Sequence, residues 1–296
     1  MTTTADLSGK TVLVTGATSG IGVPTATALA RMGARTVIVA RDRTKGEATA
    51  AQIKRETGND AVELLVADLS SLAEVRRLAA DFKAAHDSLH VLVNNAGAYN
   101  AGRSTTVDGY ETTFAVNHLA YFLLTGLLLD TLKASAPARV VNVSSTAHVR
   151  AHINFDDLQG EQRYGGTGAY GQSKLANVLF TYELARRLAG TGVTANCLHP
   201  GVVRTNFGKS NGGFVGGAFA VFQVVGRPFF ITPEKGAETT IHLAASPDVE
   251  GVTGAYFDKC RQRESNAESR DEAVAKRLWE VSEQLTRAGA AAGAAS

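Results

Sequence analysis

Apolar residues along this chain recur in two alternating patterns. The first is a set of short runs rich in β-branched residues, at 11–15, 36–40, 61–67, 90–93, 139–143, 194–198 and 254–258. They lack the in-out alternation of a half-exposed strand and read as strands buried on both faces. Between them lie longer segments whose apolar residues fall three and four apart. These run from Gly22 to about Met32, closed by Gly33, and over 47–57, 72–85, 111–133, 175–188, 233–245 and 271–287. Thr232 stands as the N-cap of the segment that begins at Pro233. Strand–helix alternation predicts an α/β fold, a doubly wound parallel sheet of about seven strands with helices on both faces. No internal repeat or second domain is visible, so residues 1–287 are expected to form one domain and 288–296 a frayed tail.

Composition narrows the function classes. The chain has 296 residues, 44% hydrophobic and 20% charged, which fits a globular protein with a substantial core. A net charge of +2 gives no reason to expect nucleic acid or an anionic membrane as partner. Cys197 and Cys260 are far apart and form no CxxC pattern, so neither a disulfide framework nor a cysteine-built metal site is expected. The first ten residues have no apolar h-region, and the longest apolar runs, 119–129 and 214–225, fall short of the ~18 residues a spanning helix needs. A soluble, cytoplasmic protein without an integral membrane span is therefore expected.

The first strand runs into Gly16-Ala-Thr18-Ser19-Gly20-Ile21-Gly22 and then a helix. In a dinucleotide-binding turn Gly16 would allow the tight bend, Gly20 the close approach of a pyrophosphate, and Gly22 the packing of helix on strand. The helix N-terminus would then meet the phosphates. At the end of the second strand, where an NAD site places a carboxylate, Ala40 stands instead, followed by Arg41, Asp42, Arg43 and Lys45. A guanidinium matches a phosphate dianion, so NADP(H) is preferred, with NAD(H) as the alternative through Asp42. Asp68 ends the third strand. It fits either the adenine amino group or, like Ser70, the N-cap of helix 72–85. Asn94-Asn95-Ala96-Gly97 closes the fourth strand, either as ligand-facing polar groups or as a local Asx turn. Asn117 lies inside an apolar helix, where it needs hydrogen-bond partners.

Tyr170 and Lys174 are four residues apart on a helical segment, so they share a face. An ammonium beside a phenol favours the phenolate, which predicts a lowered phenol pKa and a group able to exchange a proton near neutrality. Residues 206–231 hold clustered glycines and phenylalanines and are expected to form an apolar lid over the ligand, with an oligomer contact or a membrane-resting patch as alternatives.

In order, Thr15-Gly-x3-Gly-Ile-Gly22, Asp68, Asn94-Asn-Ala-Gly97, Asn117, Ser145, Tyr170-x3-Lys174 and Pro200-Gly-x3-Thr205 resemble the short-chain dehydrogenases/reductases over about residues 8–260. Finer stretches resemble the retinol dehydrogenase-like branch. They include Ala40-Arg-Asp-Arg-Thr-Lys-Gly-Glu47, Val141-Asn-Val-Ser-Ser145 and Lys276-Arg-Leu-Trp279. Val23-Pro24 departs from that branch, which often carries Lys there. The resemblance implies a Rossmann fold and an oxidoreductase interconverting an aldehyde or ketone with an alcohol, on an apolar substrate. Tyr170 would be the acid/base, Ser145 would bind the reacting oxygen, Lys174 would bind the nicotinamide ribose, and Asn117 would hold a relay water. Cofactor contacts would come from Gly16, Thr18, Ser19, Gly20, Ile21, Gly22, Arg41, Asp68, Leu69, Asn95, Ala96, Gly97, Tyr170, Lys174, Pro200, Gly201, Val203 and Thr205. It also implies pairing into a homodimer or homotetramer through the helices at 111–133 and 172–189. A non-catalytic nucleotide sensor, or epimerase, dehydratase or double-bond reductase chemistry on the same scaffold, are the alternatives.

Overall fold

In the computed structural model, which describes residues 5–201 and 231–293, all seven expected strands line up in one sheet. They are β1 (Thr11–Thr15), β2 (Arg35–Ala40), β3 (Val62–Val66), β4 (Val91–Asn94), β5 (Ala138–Val143), β6 (Val193–Leu198) and β7 (Ala255–Asp258). An eighth strand, β8 (Arg261–Arg263), corrects the expected number. The order is β3-β2-β1-β4-β5-β6-β7-β8, parallel throughout except that β8 runs antiparallel to β7. The turn into β8 places Lys259 and Cys260 at φ +49 and +58. Two successive positive values are the geometry of a tight hairpin, made here without the usual Asn-Gly.

The helices are α1 (Gly22–Arg31), α2 (Arg43–Thr57), α3 (Leu72–Ala85), α4 (Thr112–Ala134), α5 (Gly166–Arg187), α6 (Pro233–Ala245) and α7 (Glu272–Gly293). One face of the sheet packs against α1, α2 and α6 through Val12, Val14, Ile38, Leu29, Ile53 and Leu243. The other packs against α3, α4 and α5 through Leu13, Leu92, Val140, Leu78, Leu128 and Leu179, and α7 lies outside that helix layer. Both faces are thus covered, which is why the strands read as unbroken apolar runs.

Several boundaries differ from expectation for local reasons. Helix α2 begins at Arg43 rather than Glu47 because Asp42 caps it, its carboxylate accepting the Lys45 N–H at 3.0 Å. Helix α3 is capped by Ser71, not by Asp68 or Ser70. Asp68 instead accepts the Ser70 N–H at 2.9 Å. Helix α5 starts at Gly166, so Tyr170 lies in its second turn, and the loop before it contains a 3₁₀ turn at Thr146–Arg150. Thr232 caps α6 as expected. Helix α4 is 23 residues long and, by length and composition, apolar enough to cross a membrane, although its longest run is not. Most of it is buried against the sheet and neighbouring helices.

Part of the α4 and α5 surface expected to pair with another subunit is covered by α7. Trp279 packs edge-on to Phe122 at 4.8 Å, stacks on Phe180 at 5.8 Å, and lies under the Arg187 guanidinium at 4.2 Å. Ser282 meets the buried His118 at 2.8 Å, and Arg76 and Tyr110 bond the carbonyls of Thr286 and Leu285. Helix α7 runs to Gly293. Because Leu278 is 1% exposed at the centre of this contact, Leu278→Ala should lower unfolding free energy by about 2–5 kcal/mol. A shifted denaturant midpoint, with circular dichroism unchanged before the transition, is the expected record.

Candidate active site

The carboxyl ends of β1 and β4 are where the sheet order reverses, and an open crevice forms at such a point. A cleft of about 740 Å³ lies there. Among the expected residues its lining includes Gly16, Thr18, Ser19, Gly20, Ile21, Arg41, Asp68, Leu69, Asn95, Ala96, Gly97, Ser145, Tyr170, Lys174, Pro200 and Gly201. Gly22 and Asn117 sit behind the wall. Val203, Thr205 and the expected lid at 206–231, apart from Ile231, fall outside the described residues.

The glycine turn is shaped by contacts a side chain would forbid. Gly16 has φ +65, and a Cβ there would lie 2.7 Å from Ala96 Cα; Gly20 has φ +56. A Cβ on Gly22 would strike the Gly16 carbonyl oxygen and come within 2.7 Å of Asn95 Nδ2. Gly22 therefore makes room for the turn itself rather than for helix against strand. Asn95 braces the turn, its amide donating to the carbonyls of Thr15 at 2.8 Å and Gly16 at 3.1 Å. Thr15 Oγ1 accepts the N–H groups of Asn95 and Ala96. Asn94 turns the other way, into the core, donating to Thr125 and Asn142.

These features fit a dinucleotide. Helix α1 starts with no side-chain cap and no acidic residue in its first turn. Its first N–H groups and positive dipole end are therefore available to an anion. Arg41 is exposed at the end of β2 on the cleft rim, while Asp42, the alternative ribose partner, is engaged as the α2 cap.

Tyr170, Ser145 and Lys174 converge at the other end of the cleft. Ser145 hydrogen-bonds Tyr170 and also accepts the Ala147 N–H at 3.2 Å. Ser144 faces away, its hydroxyl donating to the Lys174 carbonyl at 2.7 Å. Lys174 is 3% exposed, and its ammonium donates to the Val143 carbonyl at 3.0 Å. It lies 5.8 Å from the Tyr170 ring centroid and 5.7 Å from that of Tyr121. Asn117 occupies a π-helical turn, Ala115–Leu119, inside α4. Such bulges are frequent at functional sites. Its side chain accepts the Ala98 N–H at 2.7 Å and donates to the Ala98 carbonyl and Ser173 Oγ. It thus ties α4 to α5 and to the segment that follows β4.

The electrostatics correct the expected acidification of the phenol. Burial pushes Tyr170 above the ordinary value of 10.0, with the Ser145 hydrogen bond pulling down, and burial lowers Lys174 to about 7. A lysine near half-charged at neutrality exerts less of the pull that spacing alone suggested. Residues missed in the sequence include Tyr99, Asn100, Thr112 and Val116, which line the cleft beside Tyr170. Tyr99 meets the Tyr170 ring edge-on at 5.9 Å. Tyr99 and Asn100 follow the β4 carboxyl end in irregular chain, whereas Thr112 and Val116 lie one turn apart on α4, so their helical spacing was an available signal.

A crevice of this kind with a Tyr–Ser–Lys cluster defines a dinucleotide-dependent oxidoreductase of the short-chain type. The short chain dehydrogenase family model matches residues 10–213. The chain is 48% identical to retinol dehydrogenase 14 of Mus musculus over 287 residues, 94% of this chain and 86% of the relative. A solved structure of an uncharacterized protein from Mycobacterium paratuberculosis is 36% identical, with TM-score 0.76 over 96% of this chain and 95% of that one. The Pseudomonas aeruginosa RhlG/NADP active-site complex is 30% identical, with TM-score 0.69 over 85% of this chain and 95% of that one. The chain belongs to the short-chain dehydrogenases/reductases, in the branch similar to the retinol dehydrogenases, and is an enzyme of that oxidoreductase family.

The lowered Lys174 value gives a signed stability prediction. The unfolded lysine holds its proton to about pH 10.5 and the folded one only to about 7. Between those values the unfolded state binds more protons, so the Lys174 contribution grows more favourable as pH rises. Below pH 7 both states are protonated and the cost of burying the charge is fully present. The stability of wild type minus Lys174→Met should therefore rise between pH 7 and pH 10, measured by urea denaturation.

Proposed function

We propose that this enzyme interconverts an aldehyde or ketone with an alcohol, using NADP(H), with Tyr170 as general acid/base. The observation that supports this most directly is the convergence of Tyr170, Ser145 and Lys174 on one end of a cleft whose other end is a glycine turn at a helix N-terminus. The bound nicotinamide supplies the hydride in reduction and accepts it in oxidation. The residues of the chain handle the proton and the developing charge. In reduction Tyr170 donates its proton to the carbonyl oxygen; in oxidation the phenolate takes it from the alcohol. Its raised pKa keeps the phenol protonated at neutral pH, the form reduction needs. Ser145 donates a hydrogen bond to the same oxygen as charge develops there. Lys174 is held by Val143 so that its ammonium faces the Tyr170 side of the cleft, where it would hold the ribose. Asn117 fixes the chain at Ala98 and thereby the Gly97–Tyr99 wall; this structural hold supports a positioning role beside the relay role implied by resemblance.

The glycine turn, Asp68, Leu69 and the Asn95–Gly97 segment would hold the dinucleotide, with Pro200, Gly201, Val203 and Thr205 at its nicotinamide end. Arg41 is the residue proposed to meet the 2′-phosphate. A bound NADP in the structural relative RhlG agrees with this preference. Relatives named retinol dehydrogenases make an apolar alcohol or its carbonyl form the proposed substrate class. A cytoplasmic location is part of this proposal; among the described residues, the helix long and apolar enough to cross a membrane, α4, is mostly buried in the core. Assembly through the part of α4 and α5 that α7 covers would require displacing α7, so any homo-oligomer is proposed to use a surface α7 leaves open.

Tyr170→Phe should bind NADPH normally and fold as wild type while turnover with an aldehyde panel falls by roughly 10²–10⁴, the usual size of an acid/base contribution. Full turnover in that variant would end this reading. Arg41→Ala should raise the NADPH KM roughly tenfold to hundredfold, the scale of a lost charge-assisted hydrogen bond, and leave the NADH KM nearly unchanged. Equal effects on the two coenzymes would remove Arg41 from the phosphate site.

A further inference from the structure

Behind the wall that holds Ser145 lies a buried imidazole that the proposed reaction does not use. Strand β5 ends at Val143, and the Ser144 N–H, bonded to the Leu198 carbonyl at 2.7 Å, is its last tie to the sheet. Ser145 therefore stands where the chain has left the ladder. It has an extended backbone, φ −156 and ψ 156, and its carbonyl has no strand partner. His148, with no exposed surface, supplies the missing hold. Its Nδ1 lies 2.6 Å from the Ser145 carbonyl oxygen, which also accepts the His148 backbone N–H at 3.1 Å.

The protonation of this ring follows from its neighbours. A carbonyl only accepts, so Nδ1 carries the proton. Nε2 faces the backbone N–H of Asn266 at 3.4 Å, which only donates, so Nε2 offers its lone pair. Both contacts require the same neutral tautomer. Burial, and after it the proximity of His199, act against the charged form. The ring also packs on Tyr256 at 4.8 Å between centroids, and the Tyr256 hydroxyl lies 2.5 Å from His199 Nδ1.

Asn266 comes from beyond β8, and its side chain reaches the same turn. Its amide Nδ2 lies 3.1 Å from the His148 carbonyl, 3.0 Å from that of Val149 and 3.1 Å from that of Ala151. The amide is itself oriented by the Glu268 N–H, which donates to its Oδ1 at 2.6 Å. Segment 266–268 thus straps the turn from outside while His148 grips Ser145 from within.

We propose that His148 is a positioning residue that fixes Ser145 against Tyr170, with the Asn266 side chain as the latch that straps the His148 turn and its backbone N–H facing Nε2 in the donating tautomer. This rests on the reading that the Ser145 hydroxyl stabilises the reacting oxygen. Without the Nδ1 contact the Ser145 peptide loses one of the two hydrogen bonds to its carbonyl, and rotation of that peptide carries the hydroxyl away from Tyr170.

The test is a double-mutant cycle on the full chain, with NADPH and whichever of benzaldehyde, decanal and all-trans-retinal the wild type reduces fastest. Ser145→Ala should lose about 10² or more in kcat, the scale of a lost oxyanion donor. His148→Ala should lose about tenfold or more in kcat, with KM and NADPH affinity within about twofold, since the effect acts on the transition state. His148→Asn, whose amide can donate near the Nδ1 position, should recover most of that loss. On the Ser145→Ala background, His148→Ala should cost nothing further, because a residue acting through Ser145 has nothing left to position. Wild-type kcat in His148→Ala, or an equal loss on both backgrounds, overturns the proposal while leaving the reaction intact. Wild-type kcat in Ser145→Ala overturns the role of Ser145 and this inference with it. Should His148→Ala not fold, Asn266→Ala, which removes the side-chain strap on the His148 turn and keeps the N–H facing Nε2, makes the comparison for the latch, alone and with Ser145→Ala. A fall in kcat only where Ser145 is present supports the latch, and equal falls overturn it.

Discussion

Helix α5 is bolted to the end of β5 by side-chain hydrogen bonds, two of them through Lys174, and the rest of the site depends on that joint. The Lys174 ammonium donates to the Val143 carbonyl, and the Ser144 hydroxyl donates to the Lys174 carbonyl. A buried cation without partners would be expelled or neutralised. Here the carbonyl at the strand end gives it a fixed address, and the helix can sit in one rotation and one height. That rotation points Tyr170 into the cleft beside Ser145. The same burial that makes the joint specific also sets the acid–base character of the pair, raising the phenol and lowering the amine. Position and proton affinity are thus two consequences of one packing arrangement.

A buried polar network extends the joint across the sheet. Asn94 on β4 donates to Asn142 on β5 and to Thr125 on α4, and Asn142 donates to Thr181 on α5. Unsatisfied amides in a dry core are costly, so such a chain of partners penalises any slip of β4, β5 or α5 relative to the others. Asn95, the next residue, faces the opposite side and braces the glycine turn. The alternation of a strand therefore splits the two asparagines between scaffold and cleft. Asn117 adds a third tie, from the π-helical turn of α4 to Ala98 and to Ser173. The cleft is framed by side-chain amides that hold backbone, which leaves hydroxyls and N–H groups to face a ligand.

The C-terminal helix closes the opposite layer. By covering Phe122 and Phe180 with Trp279, α7 turns what the apolar stripes of α4 and α5 offered as an interface into interior. A stripe of that kind records only that something must cover it. The covering element comes from the far end of the chain, where Ser282 lies 164 residues from its partner His118.

Local chemistry made much of this enzyme legible in its sequence. The seven parallel strands were visible because burial on both faces leaves continuous apolar runs. The glycine turn was visible because only glycine tolerates its geometry. The shared face of Tyr170 and Lys174 followed from helical spacing. Each is a short-range consequence of backbone sterics or periodicity. Tertiary structure decided the rest. Strand β8 is a polar, exposed triplet behind a turn of Lys and Cys, with no apolar pattern to mark it. The cap of α3 fell to Ser71 among adjacent candidates because one residue of chain path separates them. The direction of the Tyr170 shift, the covering of α4 and α5, and the grip of His148 on Ser145 all depend on which distant atoms surround a group. Desolvation and long-range contact are properties of the folded neighbourhood, and spacing along the chain does not encode them.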